Sequence, residues 1–182
     1  MSRTGVGGRR RPVIGVMGSG VARYDRLAVA VGIWIAQQGF HLPTGGGEGV
    51  MAAVGEAFAS VPDRPGLVLG VLPCAEGDPR CGPPAGYPNR WVELAIRTHL
   101  PLSGARGTTP LSRNHINMLT ADVVIALPGG LGTSSELQLA VRYGRPCVAF
   151  VVDRAQIPGL PDAVPCMSRL QDVASFVLEH VE

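Results

Sequence analysis

The sequence predicts a single α/β domain of the Rossmann-like class, with a mostly parallel sheet covered by helices on both faces. Short apolar strands alternate with segments whose apolar residues recur at helical spacing. Glycine-rich turns follow three of these strands and lead directly into helices. The length of 182 residues fits one domain and allows a substantial hydrophobic core.

The first half of the chain alternates strand and helix. Strands are predicted over residues 13–17, 40–43 and 67–72, and helices over residues 24–38 and 50–59. Gly39 ends the first of these helices. Residues 74–90 are rich in proline and glycine and predict a long loop, a kind of segment that is often functional.

The second half repeats the alternation after a fourth strand and a second long loop. The predicted strands cover residues 91–96, 123–127 and 147–152, and a loop covers residues 97–110. The predicted helices run from Ser112, a good N-cap, to about residue 120, from residue 133 to 143, and from about 168 to 181. Gly144 caps the second of these helices.

The charged residues exclude several kinds of chemistry. All 16 basic residues are arginines, and the absence of lysine excludes a pyridoxal-phosphate Schiff base and a Walker-type phosphate loop. Removing the four arginines among the first eleven residues changes the formal net charge from +2 to −2. We therefore expect residues 1–11 to form a flexible basic tail and residues 12–182 to form the ligand-binding domain.

Cysteine usage and hydropathy predict a cytoplasmic protein with reduced thiols. The four cysteines form no CxxC pair and no zinc-ligand spacing, so no protein-bound metal is expected. Cys147 and Cys166 lie in apolar strand-like segments and are predicted to be core residues, while pairing of Cys74 with Cys81 stays open. The sequence shows no signal-peptide core, no membrane-length apolar run and no basic–aromatic pattern for nucleic acid, so neither membrane nor nucleic acid is an expected partner.

The three glycine-rich turns predict a binding site for a phosphorylated small molecule. They comprise residues 18–20, 44–49 and 128–133. In a parallel sheet, turns that follow strands meet at one edge, where each helix that begins there presents unpaired backbone N–H groups. Glycine lets an anion approach those groups closely.

The turn after the fifth predicted strand carries a specific family resemblance. Residues 128–136 read Pro-Gly-Gly-Leu-Gly-Thr-Ser-Ser-Glu and match the PGGxGTxxE signature of the LONELY GUY family. Arg113 stands where that family has its arginine, and residues 45–51 resemble its GGGxxGLM segment. The resemblance covers residues 13 to about 152. It implies a Rossmann-like fold, a homodimer or homotetramer, and, for the enzymes, phosphoribohydrolase chemistry that releases a base from a nucleoside 5′-monophosphate.

Two positions differ from the hydrolases and resemble a sister branch. Asn114 replaces a basic residue, and Ser135 stands where many of the enzymes carry a second glutamate. Residues 98–104 and 112–115 are closer to the molybdenum cofactor carrier proteins, which bind a phosphorylated pyranopterin and protect it. The resemblance therefore implies a carrier with the molybdenum cofactor as bound cargo. The hydrolase alternative stays open, with Arg113 and Glu136 as its catalytic residues.

The candidate residues divide into phosphate-binding groups and a possible catalytic pair. Backbone amides and the Thr133 hydroxyl would hold phosphate, and the guanidinium of Arg113 would grip phosphate or sugar oxygens. Glu136 would stabilise positive charge on a ribose, or instead cap its own helix and pair with Arg113. His115 is a further candidate, whereas His41 and His99 are expected to be packed or capping. The full set of ligand-binding candidates is Gly18, Ser19, Gly45, Gly46, Gly47, Ser112, Arg113, Asn114, Pro128, Gly129, Gly130, Gly132, Thr133 and Glu136.

Overall fold

The computed structural model describes residues 10–181 of the chain, and within them strands and helices alternate as predicted. The strands are β1 (Ile14–Met17), β2 (Leu42–Thr44), β3 (Val68–Leu72), β4 (Leu94–Arg97), β5 (Val123–Ala126), β6 (Cys147–Phe150) and β7 (Cys166–Met167). The helices are α1 (Asp25–Gln37), α2 (Val50–Ala59), α3 (Asn114–Thr120), α4 (Leu131–Arg142) and α5 (Leu170–His180). Short 3₁₀ helices cover Gly104–Arg106 and Arg154–Gln156.

All the strand pairs are parallel, which confirms the predicted Rossmann-like α/β class. One sheet has the order β1-β5-β6-β7 and the other has the order β2-β3-β4. A parallel bridge between Val13 and His41 joins β1 to β2, so that the two sheets continue each other. The chain runs outward from β1 to β4 and then returns to the other side of β1 at β5.

Two hydrophobic clusters cover opposite faces of the sheet. Along β5, Val123 and Ile125 belong to one cluster, while Val124 and Ala126 belong to the other. This alternation follows from the two-residue period of a strand. Helices α1, α2 and α5 contribute to the first cluster, and α3 and α4 contribute to the second.

The order of the strands places two glycine-rich turns side by side. Because β1 and β5 are neighbours whose following segments diverge, a crevice opens at their carboxyl ends, the position at which open α/β sheets bind ligands. The Ser19 backbone N–H donates to the Pro128 carbonyl across this crevice, at 3.1 Å. This bond fixes the turn after β1 against the turn after β5.

Several predictions about individual elements need correction. Cys166 is exposed in the short strand β7, which was not predicted, so its assignment to the core is wrong. The fourth strand begins at Leu94 rather than at residue 91, because the Trp91 and Val92 amides bond back to Asn89 in a turn. Helix α1 begins at Asp25, after Tyr24 in a left-handed conformation (φ 46°).

The predicted basic tail overlaps the described residues only at its last two positions, Arg10 and Arg11. Residues 1–9 of the tail lie outside the described residues, but Arg10 donates a hydrogen bond to Asp122 Oδ1 at 2.7 Å. Arg10, the first described residue, is therefore paired with Asp122 of the domain. Between residues 10 and 181, we find no helix with the length and hydropathy to cross a membrane.

Candidate functional site

A pocket of roughly 350 Å³ opens in the crevice between the ends of β1 and β5. Its wall combines the end of β1 and the turn that follows it, residues near the starts of α2, α3 and α4, and two long loops. The lining residues are Met17, Gly18, Ser19, Gly20, Val21, Met51, Tyr87, Ser103, Gly104, Arg113, Asn114, Gly130, Gly132, Thr133 and Glu136.

The N-terminus of α4 provides hydrogen-bond donors to this pocket. Its first backbone bond runs from the Ser134 N–H to the Gly130 carbonyl. The N–H groups of residues 130–133 donate to no acceptor in the described part of the chain. Free N–H groups and the positive end of the helix dipole together favour an anion.

The N-terminus of α2 also follows a glycine-rich turn, but its first amide bonds to protein. The Val50 N–H donates to the Ser19 carbonyl at 2.8 Å. Gly45, Gly46 and Gly47, which precede this helix, are buried and lie outside the pocket lining. The structure therefore makes the α2 turn a support for the site rather than part of its wall.

Thr133 places a hydroxyl at the first turn of α4. Thr133 is 2% exposed, and its Oγ1 has no hydrogen-bond partner within residues 10–181. A Cβ atom at Gly129 would overlap this hydroxyl and would lie 2.9 Å from the Ser19 nitrogen. Glycine at position 129 thus keeps the space that the Thr133 side chain and the β1 turn occupy.

Arg113 lies beneath the pocket with its guanidinium against the backbone of Gly45. A Cβ at Gly45 would lie 2.7 Å from Arg113 Cζ, so glycine is required there for Arg113 rather than for a ligand. Asn117 holds the other side of the guanidinium. In the orientation that satisfies its whole amide, its oxygen accepts from Arg113 Nη1 at 2.9 Å and its nitrogen donates to the Thr44 carbonyl at 3.3 Å. The buried Nε of Arg113 has no partner in the described residues.

Glu136 lies on the second turn of α4 and faces the same pocket. Its Oε1 is 3.9 Å from Arg113 Nη1, a long ion-pair distance, and no side-chain cap hydrogen bond is present at the start of α4. Burial raises the pKa of Glu136 to about 7, and the charge of Arg113 opposes this shift. The carboxyl group is therefore partly protonated near neutral pH.

The two positions that differ from the hydrolases are connected to each other. Ser135 Oγ lies 2.9 Å from the Gly104 carbonyl and 2.8 Å from the Gly132 carbonyl, so its single proton is shared within α4 and the 3₁₀ turn. The Asn114 amide nitrogen approaches the same hydroxyl at 3.4 Å. The Asn114 amide oxygen, Oδ1, is buried and has no partner among residues 10–181. Ser135 therefore connects α4 to the segment that contains Gly104, residues 98–112, and leaves Asn114 Oδ1 available for a ligand.

The remaining candidates lie behind the wall. Ser112 Oγ accepts from the Asn114 N–H at 3.1 Å, and Pro128 contributes the carbonyl that bonds Ser19. The ring nitrogens of His115 contact the Tyr143 hydroxyl at 2.6 Å and the Thr109 carbonyl at 2.8 Å, which gives this histidine a structural role. His41 Nδ1 accepts a hydrogen bond from the Leu67 amide, as a packed histidine would.

Sequence reasoning missed the apolar residues of the pocket wall. These are Met17, Val21, Met51 and the half-buried Tyr87, whose ring packs against Gly47. The only available signal for Tyr87 was its place in the long loop over residues 74–90. The pocket wall therefore combines hydrogen-bond donors with apolar side chains and one aromatic ring.

The described residues contain no group of three or more His, Cys, Asp or Glu side chains that could hold a metal ion. Cys74 and Cys81 are both free thiols. The polar residues of the pocket are instead hydroxyl, amide, guanidinium and carboxyl groups. These groups suit a phosphorylated organic ligand better than a bare cation.

Comparisons with known proteins agree on the family and the fold. The model of the SLOG cluster4 family matches residues 11–171. An uncharacterised protein of Archaeoglobus fulgidus is 31% identical over 134 residues, which cover 72% of this chain and 75% of that protein.

Two solved structures are similar over almost their whole length. The molybdenum cofactor binding protein of Rippkaea orientalis superposes with a TM-score of 0.69 and 29% identity, covering 94% of this chain and 98% of that one. The Moco carrier protein of Chlamydomonas reinhardtii gives a TM-score of 0.68 and 26% identity, covering 93% and 99%. The predicted relationship to the LONELY GUY-like superfamily, near its carrier branch, is confirmed. The chain belongs to the SLOG cluster4 family.

Proposed function

We propose that this protein binds a phosphorylated ligand, the molybdenum cofactor, and carries it without converting it. One observation supports this most directly. Five buried polar side-chain atoms have no partner within residues 10–181, and three of them, Thr133 Oγ1, Arg113 Nε and Asn114 Oδ1, belong to residues that line one pocket. Buried polar groups are nearly always paired in folded proteins, so this concentration of unpaired atoms favours a polar ligand in the pocket.

The chemistry of the pocket suits this cargo. The free N–H groups of α4 and the Thr133 hydroxyl offer donors to a terminal phosphate. The orphaned Asn114 oxygen is an acceptor for a ring N–H, and Tyr87 offers an aromatic face or edge to a planar heterocycle. The similar structures from Rippkaea orientalis and Chlamydomonas reinhardtii are named for binding or carrying this cofactor.

The phosphoribohydrolase alternative depends on the Arg113–Glu136 pair, which does meet in the pocket. Hydrolysis of an N-glycosidic bond builds positive charge on the ribose, and a carboxylate anion would stabilise it. Glu136 is buried with a raised pKa, and a serine bonded to Gly104 stands beside it in place of a second carboxylate. Both features favour holding a ligand over cleaving one.

A retention experiment tests the carrier proposal. Purified protein is loaded with molybdenum cofactor released from a molybdoenzyme, passed through a gel-filtration column, and assayed for pterin fluorescence after oxidation. We expect Thr133→Val to lower cofactor affinity by roughly 10- to 100-fold, as for loss of a hydrogen bond to a charged group. Thr120→Val is the matched control, because Thr120 Oγ1 donates to the Ile116 carbonyl within α3.

A parallel assay decides between the two functions. Wild-type protein is incubated with adenosine 5′-monophosphate, and adenine release is measured. Cofactor retention without adenine release would support the carrier. Adenine release that disappears in Glu136→Gln, together with no retained cofactor, would overturn the proposal in favour of the hydrolase.

A further inference from the structure

Glu136 is a buried acid at the end of the pocket that receives an anion. It is 8% exposed and lines the pocket together with Thr133 and Arg113. An ionised carboxylate at this position would repel phosphate oxygens bound at the start of the same helix. The state of this carboxyl group therefore affects every anion that enters the site.

The neighbours of Glu136 are arranged so that they do little to hold a negative charge. Arg113 Nη1 is 3.9 Å away and donates to the Asn117 oxygen instead. The Asn117 nitrogen donates to Thr44. If this amide were reversed, it would donate to Glu136 and lower its pKa, but its NH₂ group would then face Arg113 Nη1. The orientation that pairs all these groups leaves the carboxyl group without a close donor.

Few other charged or titratable groups face this carboxyl group. From α3, Arg113 is near, whereas His115 is turned toward Tyr143 and Thr109. From the 3₁₀ helix Gly104–Arg106, the Arg106 side chain turns to the surface, where its Nη2 lies 3.5 Å from Glu76 Oε2. From the residue 74–90 loop, Tyr87 lines the same pocket. Arg113 is thus the one full charge that acts on Glu136 from the described residues that pack around it.

We infer that Glu136 binds the ligand as a neutral acid, donating its proton in a hydrogen bond to an anionic oxygen, so that ligand retention weakens as the pH rises. This inference rests on the proposed function in that it assumes an anion in the pocket. The carboxyl proton stays on Glu136 in the complex, and no bond is made or broken. Above neutral pH, ligand binding is accompanied by the uptake of one proton from solvent, which binds to Glu136.

This role explains why an acid stands in an anion site. A protonated carboxyl is one more donor beside the α4 amides and Thr133, and it adds no charge. A neutral carboxylic acid that donates to an oxyanion is a known use of an apolar, buried position. The same group, once ionised, becomes a repulsive element that promotes release of the anion.

Calorimetric titration with ribose 5-phosphate tests the inference. This probe carries a phosphate monoester but no base, so it cannot undergo N-glycosidic hydrolysis. Wild type and Glu136→Gln are compared at pH 6.5 and 8.5, each in two buffers of different ionisation enthalpy. The glutamine mimics the neutral donor, and the phosphate's own titration is common to both proteins.

The expected result is a difference between the two pH profiles. The wild-type dissociation constant should rise, relative to Glu136→Gln, by roughly tenfold for each pH unit above the Glu136 pKa. Only the wild type should take up a proton from solvent, onto Glu136, on binding at pH 8.5. Adding ribose 5-phosphate at that pH should also produce a protonated-carboxyl band in the infrared difference spectrum, and Glu136→Gln should lack it.

Identical pH profiles for the two proteins would overturn the inference, as would the absence of ribose 5-phosphate binding at pH 6.5. The proposed function fails separately from the inference. A protein that binds ribose 5-phosphate with the expected proton uptake but never retains molybdenum cofactor would refute only the carrier. Cofactor retention that is equal at pH 6.5 and 8.5 in both proteins would refute only the neutral-acid role.

Discussion

At the scale of single residues, similar side chains along α4 perform different tasks. The Thr133 hydroxyl has no partner among the described residues, whereas Ser134 donates to the Gly159 carbonyl at 3.0 Å. Ser135 bonds to the 3₁₀ turn. The sequence Thr-Ser-Ser presents three hydroxyls in a row, and only the direction of each around the helix separates ligand binding from structural support.

Gly45 and Gly20 give a prediction that contrasts contact with support. Gly45 lies outside the pocket lining, yet a Cβ there would displace the Arg113 guanidinium. Gly20 lines the pocket, and a Cβ there would meet only Met51 Cε at 3.9 Å. We expect Gly45→Ala to weaken ribose 5-phosphate binding by more than about tenfold, the scale of one lost charged hydrogen bond, and Gly20→Ala to change it little.

Calorimetric titration of both variants measures this difference, and circular dichroism checks that both are folded. Equal affinities of Gly45→Ala and wild type for ribose 5-phosphate would show that a Cβ at position 45 does not displace the Arg113 guanidinium from its binding position.

At the scale of elements, the helices α2 and α4 begin in similar ways and end up with different functions. Each follows a glycine-rich turn at the same edge of the sheet. The Ser19 carbonyl occupies the first amide of α2, whereas residues 130–133 keep their N–H groups free. The difference arises because the turn after β1 packs onto the start of α2, a contact between segments about 30 residues apart in sequence.

The link between α4 and the residue 98–112 segment also gives a prediction. Ser135→Ala removes the hydroxyl that bonds the Gly104 carbonyl, and Gly104 lines the pocket. A typical hydrogen bond contributes about 1 kcal/mol, so we expect the dissociation rate of bound cofactor to rise roughly fivefold. Stopped-flow displacement measures this rate.

Ser60→Ala is the matched control for this experiment. Ser60 Oγ donates to the Ala57 carbonyl at the end of α2, outside the pocket lining. A dissociation rate that changes equally in both variants would argue that the segment is held by contacts other than Ser135.

At the scale of the whole molecule, the buried acid links folding stability to pH. Burial raises the pKa of Glu136 from its ordinary value of 4.5 to about 7. Between these values the folded state keeps a proton that the unfolded state releases. The stabilisation is therefore complete below pH 4.5 and is lost as the pH rises through 7.

We expect the free energy of unfolding of the wild type to fall, relative to Glu136→Gln, by on the order of 3 kcal/mol between pH 4.5 and 8. Urea unfolding of the two proteins at several pH values measures this quantity. The Glu136→Gln variant is the reference for the wild type, because the two proteins share all other titrating groups. Parallel stability curves would contradict a raised pKa for Glu136.

The sequence by itself determined the α/β class, most helix and strand positions, and the glycine-rich turns whose residues line part of the pocket. These features are local: periodicity specifies each element, and the run from Pro128 to Glu136 contains a complete turn and helix start. Strand β7 was not predicted, because a strand of two residues is too short to show a periodic pattern of apolar residues.

Only the tertiary structure decided which predicted residues reach the ligand pocket. Ser19 and Gly130 are over 100 residues apart in sequence, and they meet because β1 and β5 pair. The same packing buries Gly45, Gly46 and Gly47, brings Tyr87 to the pocket wall, and sets Glu136 beside an arginine that is already bonded to Asn117. Burial and partner geometry depend on the whole sheet, so no local pattern could specify them.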